Sequence, residues 1–480
     1  MNQSENIEVT HRTLVMKFGG TSVGTTHALQ QVIHIVQDAQ AHWQRVVVVI
    51  SALSGVTDLL LKTAHNAAEG SAIGLNGTEK ELLTRHLGIA EDLVSSLARR
   101  QQLKQEIGHL VAEFSNLCHA IAVIGEASPR ALDAVAALGE RMSVRLLAAA
   151  LESAGIRAIS VEATQLIVTD ERFQAAHPDF EATRIAATRM LEPILSRGVV
   201  PVVTGFISAS SSGVTTTLGR GGSDYSAALL ASIFQADEVW IWTDVDGVMT
   251  SDPRLVENAR TIPVLSYREV AELAFYGARV LHPKTIRPII EAGIALRVCN
   301  TFNPRHPGTR IVGKHSQQDT TVIKAVTAIQ GLKLITLEGR GMLGIPGVAA
   351  RTFAAVAATK TSVPLISQAS SEQSICFTVP LECAARVIAS LEETFDREIQ
   401  KNDIDRVWAT AEVVIVTVVG AGMIHTPGVA GRIFTALGTA GVNVIAIAQG
   451  SSEVSISMVV SAEDTRAALY SLHELIVNNV

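Results

Sequence analysis

Val15-Met16-Lys17-Phe18-Gly19-Gly20-Thr21-Ser22-Val23-Gly24 decides how the rest of the chain is read. An apolar run carrying one lysine gives way to paired glycines and two hydroxyls, the pattern of a buried strand feeding a loop that cradles an anion. Backbone N–H groups approach an anion closely only where no Cβ intervenes, so Gly19 and Gly20 are expected to offer donors and Lys17 a point charge. A Walker A box would carry its lysine after the glycines, and here it precedes them. An edge strand entering a tight turn would look the same, so the stretch takes its meaning from its company.

Working outward, residues 46–50, 199–203 and 239–242 are continuous apolar, β-branched runs, each followed by Gly, Ser, Thr or Asp. Such runs suit strands buried on both faces of a parallel sheet. Helical stretches at 131–150 and 223–234 lie between them, which predicts one α/β unit, a mostly parallel sheet sandwiched by helices, with functional loops at the carboxyl ends of its strands. The polar helical segment 78–117 reads as an excursion on one edge.

Asn303-Pro304-Arg305-His306-Pro307-Gly308 breaks any regular element. Beyond it the chain repeats itself. Gly341-Met342, Pro346-Gly347-Val348-Ala349, Gln368 and Ser370-Ser371-Glu372 recur 81 residues later as Gly422-Met423, Pro427-Gly428-Val429-Ala430, Gln449 and Ser451-Ser452-Glu453. Each copy reads strand, glycine loop, helix, strand, Ser-Ser-Glu turn, strand and helix, a βαββα(β) order that predicts two ferredoxin-like βαββαβ modules. The predicted domains are 1–312, 328–402 and 410–480, in line with about three domains of roughly 150 residues for a chain of this length.

The formal charge of −7 comes without a basic stripe, so nucleic acid is not an expected partner. No window of about 20 unbroken apolar residues predicts a membrane span, and residues 1–13 lack the apolar core of a secretory signal. Cys118, Cys299, Cys376 and Cys383 form no CxxC pair and read as reduced thiols of a cytoplasmic protein.

Five further motifs bear on the chemistry. Gly219-Arg220-Gly221-Gly222-Ser223-Asp224 precedes an Ala/Leu-rich helix, where free N–H groups and the positive end of the helix dipole suit an anion. Arg220 adds a planar fork, and Ser223 is expected to cap the helix. Thr243-Asp244 ends a buried strand, with Asp246-Gly247 read as an ordinary turn; glycine at the fourth position and Leu255 at the twelfth exclude a calcium loop. Taken alone, the charged pair in Gly139-Glu140-Arg141-Met142-Ser143 reads as a solvated or salt-bridged helix face, and the 51–57 loop could equally be an ordinary βα connection. Gly339-Arg340-Gly341-Met342-Leu343-Gly344 has dinucleotide spacing, but no acidic residue follows about 20 positions on and the second copy carries His425 in place of the third glycine.

Taken in order, Lys17 to Val23, Ser51 to Thr57, Gly139 to Ser143, Gly219 to Tyr225, Thr243-Asp244, Asp252-Pro253-Arg254 and Tyr276-Gly277-Ala278-Arg279-Val280-Leu281-His282-Pro283 resemble the aspartate kinases of the amino-acid kinase superfamily. The duplicated tail resembles their paired ACT domains, in a form like the threonine-regulated branch. The resemblance implies ATP- and Mg-dependent phosphorylation of L-aspartate to 4-phospho-L-aspartate, the first step toward lysine, threonine and methionine. It implies a nucleotide site of Lys17, Phe18, Gly19, Gly20, Thr243, Asp244, Met249, Arg254, Arg279 and Val280. It implies a substrate site of Ser51, Thr57, Glu140, Arg220, Gly221, Gly222 and Ser223, with Glu140 facing the ammonium and Arg220 a carboxylate. Lys17, Arg220 and Asp224 would serve the reacting centre, and no protein cluster is singled out as a metal site. Met249 and Arg279 depart from the tyrosine and lysine common in the family.

The tail is expected to bind an amino-acid effector, threonine or lysine, near Gly341, Met342, Gln368, Gly422 and Gln449, and to join subunits into a homodimer or homotetramer. No dehydrogenase module follows Val480, which points to a single-function kinase. The alternatives are a carboxylate kinase acting on glutamate, a non-catalytic amino-acid sensor and, last, an NAD-dependent dehydrogenase resting on 339–344.

A β-carboxyl with an ordinary pKa near 3.9 is already ionised at neutral pH, so no general base is expected. The barrier is repulsion between two anions, about 4 kcal/mol for unit charges 4 Å apart at an effective dielectric of 20. Lys17, Mg²⁺ and Arg220 would offset it. Lys17→Ala is accordingly expected to lower kcat by orders of magnitude with little effect on folding.

Overall fold

The computed structural model describes residues 12–70, 74–275, 281, 283–313, 321–369, 371 and 373–477. It divides into two bodies, one built from Met1–Val248, Pro263–Tyr267 and Leu281–Lys314, the other from Met249–Ile262, Arg268–Val280 and His315–Val480.

The first body is built on an eight-stranded sheet. In spatial order its strands are Ala158–Val161, Val200–Thr204, Arg45–Ile50, Thr13–Phe18, Glu238–Thr243, Ala295–Asn300, Thr309–Val312 and Val264–Ser266. All neighbours run parallel except Ala295–Asn300 against Thr309–Val312. Leu14, Val15, Met16 and Phe18 are fully buried, as a central strand covered on both faces requires. Phe18 pairs with Ile50 on one side and Trp242 on the other. The loops that begin at Gly19, Ser51 and Asp244 therefore leave the sheet side by side at its carboxyl edge.

Helices Leu75–Leu93 and Leu97–Ile124 occupy the segment expected as an edge excursion. They belong instead to the main core. Leu103, Ile107, Leu110, Phe114, Cys118 and Ile121 recur at helical spacing and pack in one cluster with Leu60, Leu138 and Leu146. Leu97–Ile124 is long and apolar enough to cross a membrane by length and composition, but its apolar stripe packs against helices Val56–Ala68, Leu75–Leu93 and Pro129–Ser153.

The second body carries a six-stranded antiparallel sheet in the order Ile366–Gln368, Ser374–Pro380, Ala325–Glu338, Arg406–Val419, Ser455–Ser461 and Ala446–Gln449. The two 14-residue strands at its centre serve both repeats. Ile323 and Val326 pack with Val414, Ile433 and Leu472 of the second copy. Ile404 and Val407 pack with Ile335, Phe377 and Val387 of the first. The repeats thus exchange their lead-in segments, an arrangement that the boundaries 328–402 and 410–480 leave open. Repeated glycines make this possible. A Cβ on Gly341 would lie 2.5 Å from the Asp403 Cα, and one on Gly422 would lie 2.6 Å from the Thr321 carbonyl oxygen.

Candidate functional site

Ser128 accepts from the Ala131 N–H and Pro129 occupies the first turn, so helix Pro129–Ser153 starts where its cap dictates. Asp133, Ala136 and Glu140 lie three, four and seven residues apart, on one face of this helix, and all three line a single cavity. Gly139 lets the neighbouring loop close on that face, since a Cβ there would lie 2.8 Å from the Ala52 Cβ. The Ala52 N–H then donates to Glu140 Oε1 at 3.2 Å, while Oε2 is buried with no hydrogen-bond partner. Burial pushes the Glu140 carboxyl up from 4.5 to about 8, against the lowering effect of the Ala52 N–H. Arg141 points elsewhere and pairs with Glu113 at 2.8 Å and Glu162 at 3.1 Å.

The glycine loop faces Glu140 across the cavity. Gly219 and Gly221 adopt φ of 74° and 73°, the left-handed region in which a side chain is strained. Gly221, rather than Ser223, is the N-cap of helix Gly222–Ile233. The expected serine cap is absent because Ser223 lies inside the first turn, and its hydroxyl instead accepts from Ser51 Oγ at 2.9 Å. Gly205 makes room for that serine: a Cβ there would lie 2.6 Å from Ser223 Oγ. Lys17 Nζ lies 2.6 Å from Asp224 Oδ1, both largely buried, as an ion pair without hydrogen-bond angles. The cavity, of about 510 Å³, is lined by Lys17, Ser51, Thr57, Glu140 and the whole of Arg220, Gly221, Gly222, Ser223 and Asp224. Leu61, Leu132 and Phe206 supply an apolar wall. Asp133, Gln174 and Thr217 also line it and escaped the sequence reading; the seven-residue spacing of Asp133 from Glu140 was the available signal.

Next to this cavity, Gly19 departs from expectation. Its N–H donates to the Trp242 carbonyl at 3.2 Å, so it extends the sheet ladder rather than standing ready for an anion. Gly20 opens a helical turn, Gly20–Val23, whose first N–H groups have no partner within the turn. Ser22 is turned inward, donating to the Trp242 carbonyl and accepting from Thr301 at 2.7 Å. Phe18 stacks on Trp242 beneath the loop, with ring centroids 5.8 Å apart. Thr243 Oγ1 donates to Asp244 Oδ1 at 3.1 Å. Asp246 accepts from the side-chain amides of Asn300 and Asn303, which fits the turn expected there.

Met249 and Arg254 belong to the second body, where Met249 Sδ accepts from Thr261 and Arg254 pairs with Asp252 at 2.6 Å. Arg279 and Val280 lie outside the described residues. Of the predicted effector residues, Met342 and Gln368 line a cavity of about 330 Å³ with Gly344, Gly347 and Ile375. Gly341 and Gly422 have the packing role given above, and Gln449 sits exposed on an outer strand. In the second copy His425 takes the place of Gly344 at a similar positive φ, and its N–H donates to Glu453. Among the described residues no group of three or more His, Cys, Asp or Glu could hold a metal ion.

Residues 12–300 match the amino acid kinase family. The chain belongs to this family. Residues 335–395 and 416–475 match an ACT domain, once for each repeat of the tail. The chain is 36% identical over 471 residues to the bifunctional aspartokinase/homoserine dehydrogenase 2 of Zea mays, covering 96% of this chain and 50% of that protein. It spans about half the length of such bifunctional relatives. With the aspartokinase of Candida albicans it shares 31% identity, covering 96% of this chain and 89% of that one. Its fold superposes on E. coli aspartokinase III in complex with aspartate and ADP with a TM-score of 0.78, at 31% identity, over 97% of this chain and 100% of the other. The same E. coli enzyme in complex with lysine and aspartate, described as its T-state, gives 0.77.

Proposed function

We propose that this kinase transfers the γ-phosphoryl group of ATP to the side-chain carboxylate of L-aspartate, yielding 4-phospho-L-aspartate and ADP. The observation that carries the reading is Glu140, buried with one oxygen unpartnered in the cavity that also holds Arg220 and Lys17. A buried carboxyl of that kind calls for a cation. An α-ammonium is such a cation, and Arg220 matches a carboxylate of the same molecule. The E. coli relative's complex with aspartate and ADP supports this choice of substrates.

The substrate carboxylate attacks phosphorus as the anion, a P–O bond forms, and the bond to the β-phosphate oxygen breaks with its electron pair leaving on ADP. No proton need move. Asp224 is therefore not assigned as a base. Its charge holds the Lys17 ammonium at the mouth of the phosphate loop, and Lys17 then faces the phosphates while Arg220 and Ser223 orient the acid. Mg²⁺ would arrive on the nucleotide and lower its charge. Release of ADP in a coupled assay with L-aspartate tests the proposal; turnover with L-glutamate but not L-aspartate would overturn the substrate assignment, since one methylene is worth about 1–3 kcal/mol. No turnover with either would favour the sensor.

For the tail we propose amino-acid feedback. The cavity at Met342 and Gln368 is large enough for threonine or lysine, and the E. coli relative's complex with lysine supports an amino acid as ligand. Strands Ile366–Gln368 and Ala446–Gln449 end the sheet with Ile366 and Ile447 exposed, which favours pairing with a second copy. Titrating threonine and lysine into the assay, with sedimentation alongside, tests both; an unresponsive monomer would defeat the reading.

A further inference from the structure

Asp133 is the most heavily engaged carboxylate near the cavity. It is 2% exposed. The Gln174 N–H donates to both of its oxygens, at 3.1 and 2.9 Å; the Thr217 N–H donates at 3.0 Å and the Thr217 hydroxyl at 2.8 Å. These donors come from two segments far apart in sequence. Gln174 sits in a loop at φ 68°, a conformation a side chain rarely adopts. Thr217 ends strand Thr215–Thr217, two residues before the glycine loop. The two segments are also stitched directly, Ala176 N–H to the Thr217 carbonyl at 2.9 Å. What they hold is Gly219: a Cβ there would lie 2.9 Å from the Gln174 carbonyl oxygen. One residue later the chain presents Arg220 to the cavity.

We propose that Asp133 is a positioning residue for the acidic substrate, its buried carboxylate clamping Gln174 and Thr217 so that Gly219 keeps the conformation from which Arg220 reaches the cavity. This rests on the reading that Arg220 holds a substrate carboxylate. Asp133 shares a helix face with Glu140, so one rigid element carries both the group that meets the ammonium and the clamp that aims the arginine. Burial raises the Asp133 carboxyl above its ordinary value while three donors hold it down. All the donors around it suit an acceptor alone, which is why an amide cannot replace it: in Asp133→Asn an NH₂ must face an N–H donor.

The test compares Asp133→Asn, Thr217→Val and Arg220→Ala with wild type in steady-state assays and amide hydrogen exchange. Asp133→Asn is expected to raise KM for aspartate about 10- to 100-fold while KM for ATP stays within about twofold, the cost of misplacing a binding group. Exchange at residues 174 and 217 should quicken. Thr217→Val keeps the backbone donors and loses one hydroxyl bond, so its KM for aspartate should rise about 2- to 10-fold; it decides the matter if Asp133→Asn does not fold. A merely structural role would lower Tm and the amount of active enzyme and leave KM for aspartate unchanged in both variants, which overturns the proposal. If Arg220→Ala raises KM and the Asp133 and Thr217 variants do not, positioning alone falls. If Arg220→Ala leaves KM unchanged, both it and the substrate reading of Arg220 fall.

Discussion

Glu140→Gln is the sharpest perturbation of this site because it keeps shape and removes charge. Burial raises the Glu140 carboxyl from 4.5 to about 8, which favours the neutral form at pH 7 before an ammonium binds. An unfolded chain ionises it above 4.5, so the folded state loses stability as pH rises from about 4.5 to about 8. The difference of 3.5 units sets an upper bound of about 5 kcal/mol at 1.36 kcal/mol per unit. Binding runs the other way. An ammonium against Oε2 requires the ionised form, so aspartate must drive a proton off Glu140, and its affinity should improve about tenfold per pH unit from 6 up to about 8. Calorimetric titration at pH 7 in two buffers of different ionisation enthalpy should detect close to one proton released per aspartate bound. Glu140→Gln should abolish both the proton release and the pH slope, and weaken binding at pH 8 by about 100-fold, near 3 kcal/mol, the low end for breaking a buried pair. Its melting temperature should also fall less between pH 5 and 8 than that of wild type. No proton release in wild type, or an undiminished slope in the variant, would refute the assignment of Glu140 to the ammonium.

Lys17→Ala should lower kcat by about 10²- to 10³-fold, as loss of a charge donor at a phosphoryl centre does. The ion pair with Asp224 changes the stability expectation. Removing the lysine strands a largely buried carboxylate, so a fall in Tm is expected, partly restored by Asp224→Asn in the same chain; unchanged Tm would show the pair to be energetically idle. Gly205→Ala must displace Ser223, and should raise KM for aspartate and destabilise the fold by about 1–3 kcal/mol; normal kinetics would mean that the Ser51–Ser223 contact is dispensable. Trp242 lies directly beneath the Gly19–Gly20 turn, so its fluorescence should change on addition of ATP and the change should vanish in Trp242→Phe. A signal that persists in the variant would place the nucleotide elsewhere.

Composition, periodicity and motif order were enough to read a parallel α/β sheet, a duplicated ferredoxin-like tail and the three loops that meet at the sheet's edge. These are legible because strands buried on both faces must be continuously apolar and because loops at strand ends need glycine where backbone comes close. Gly219 to Asp224 was recognisable for the same local reason. Tertiary structure alone decided the rest, since each remaining feature depends on a partner distant in sequence. The resemblance already singled out Glu140, but its place in the cavity and the ion pairs of Arg141 came only with the 51–57 loop closing on one side of their helix and Glu113 and Glu162 meeting the other. Gly19 lost its N–H to Trp242, Ser223 gave up capping for Ser51, and Asp133 acquired Gln174 and Thr217. The exchange of lead-in strands between the repeats was hidden too, because two copies of one pattern offer the same partners to either strand. A sequence states which groups can bond; only the packed chain determines which of them are left free to bind something else.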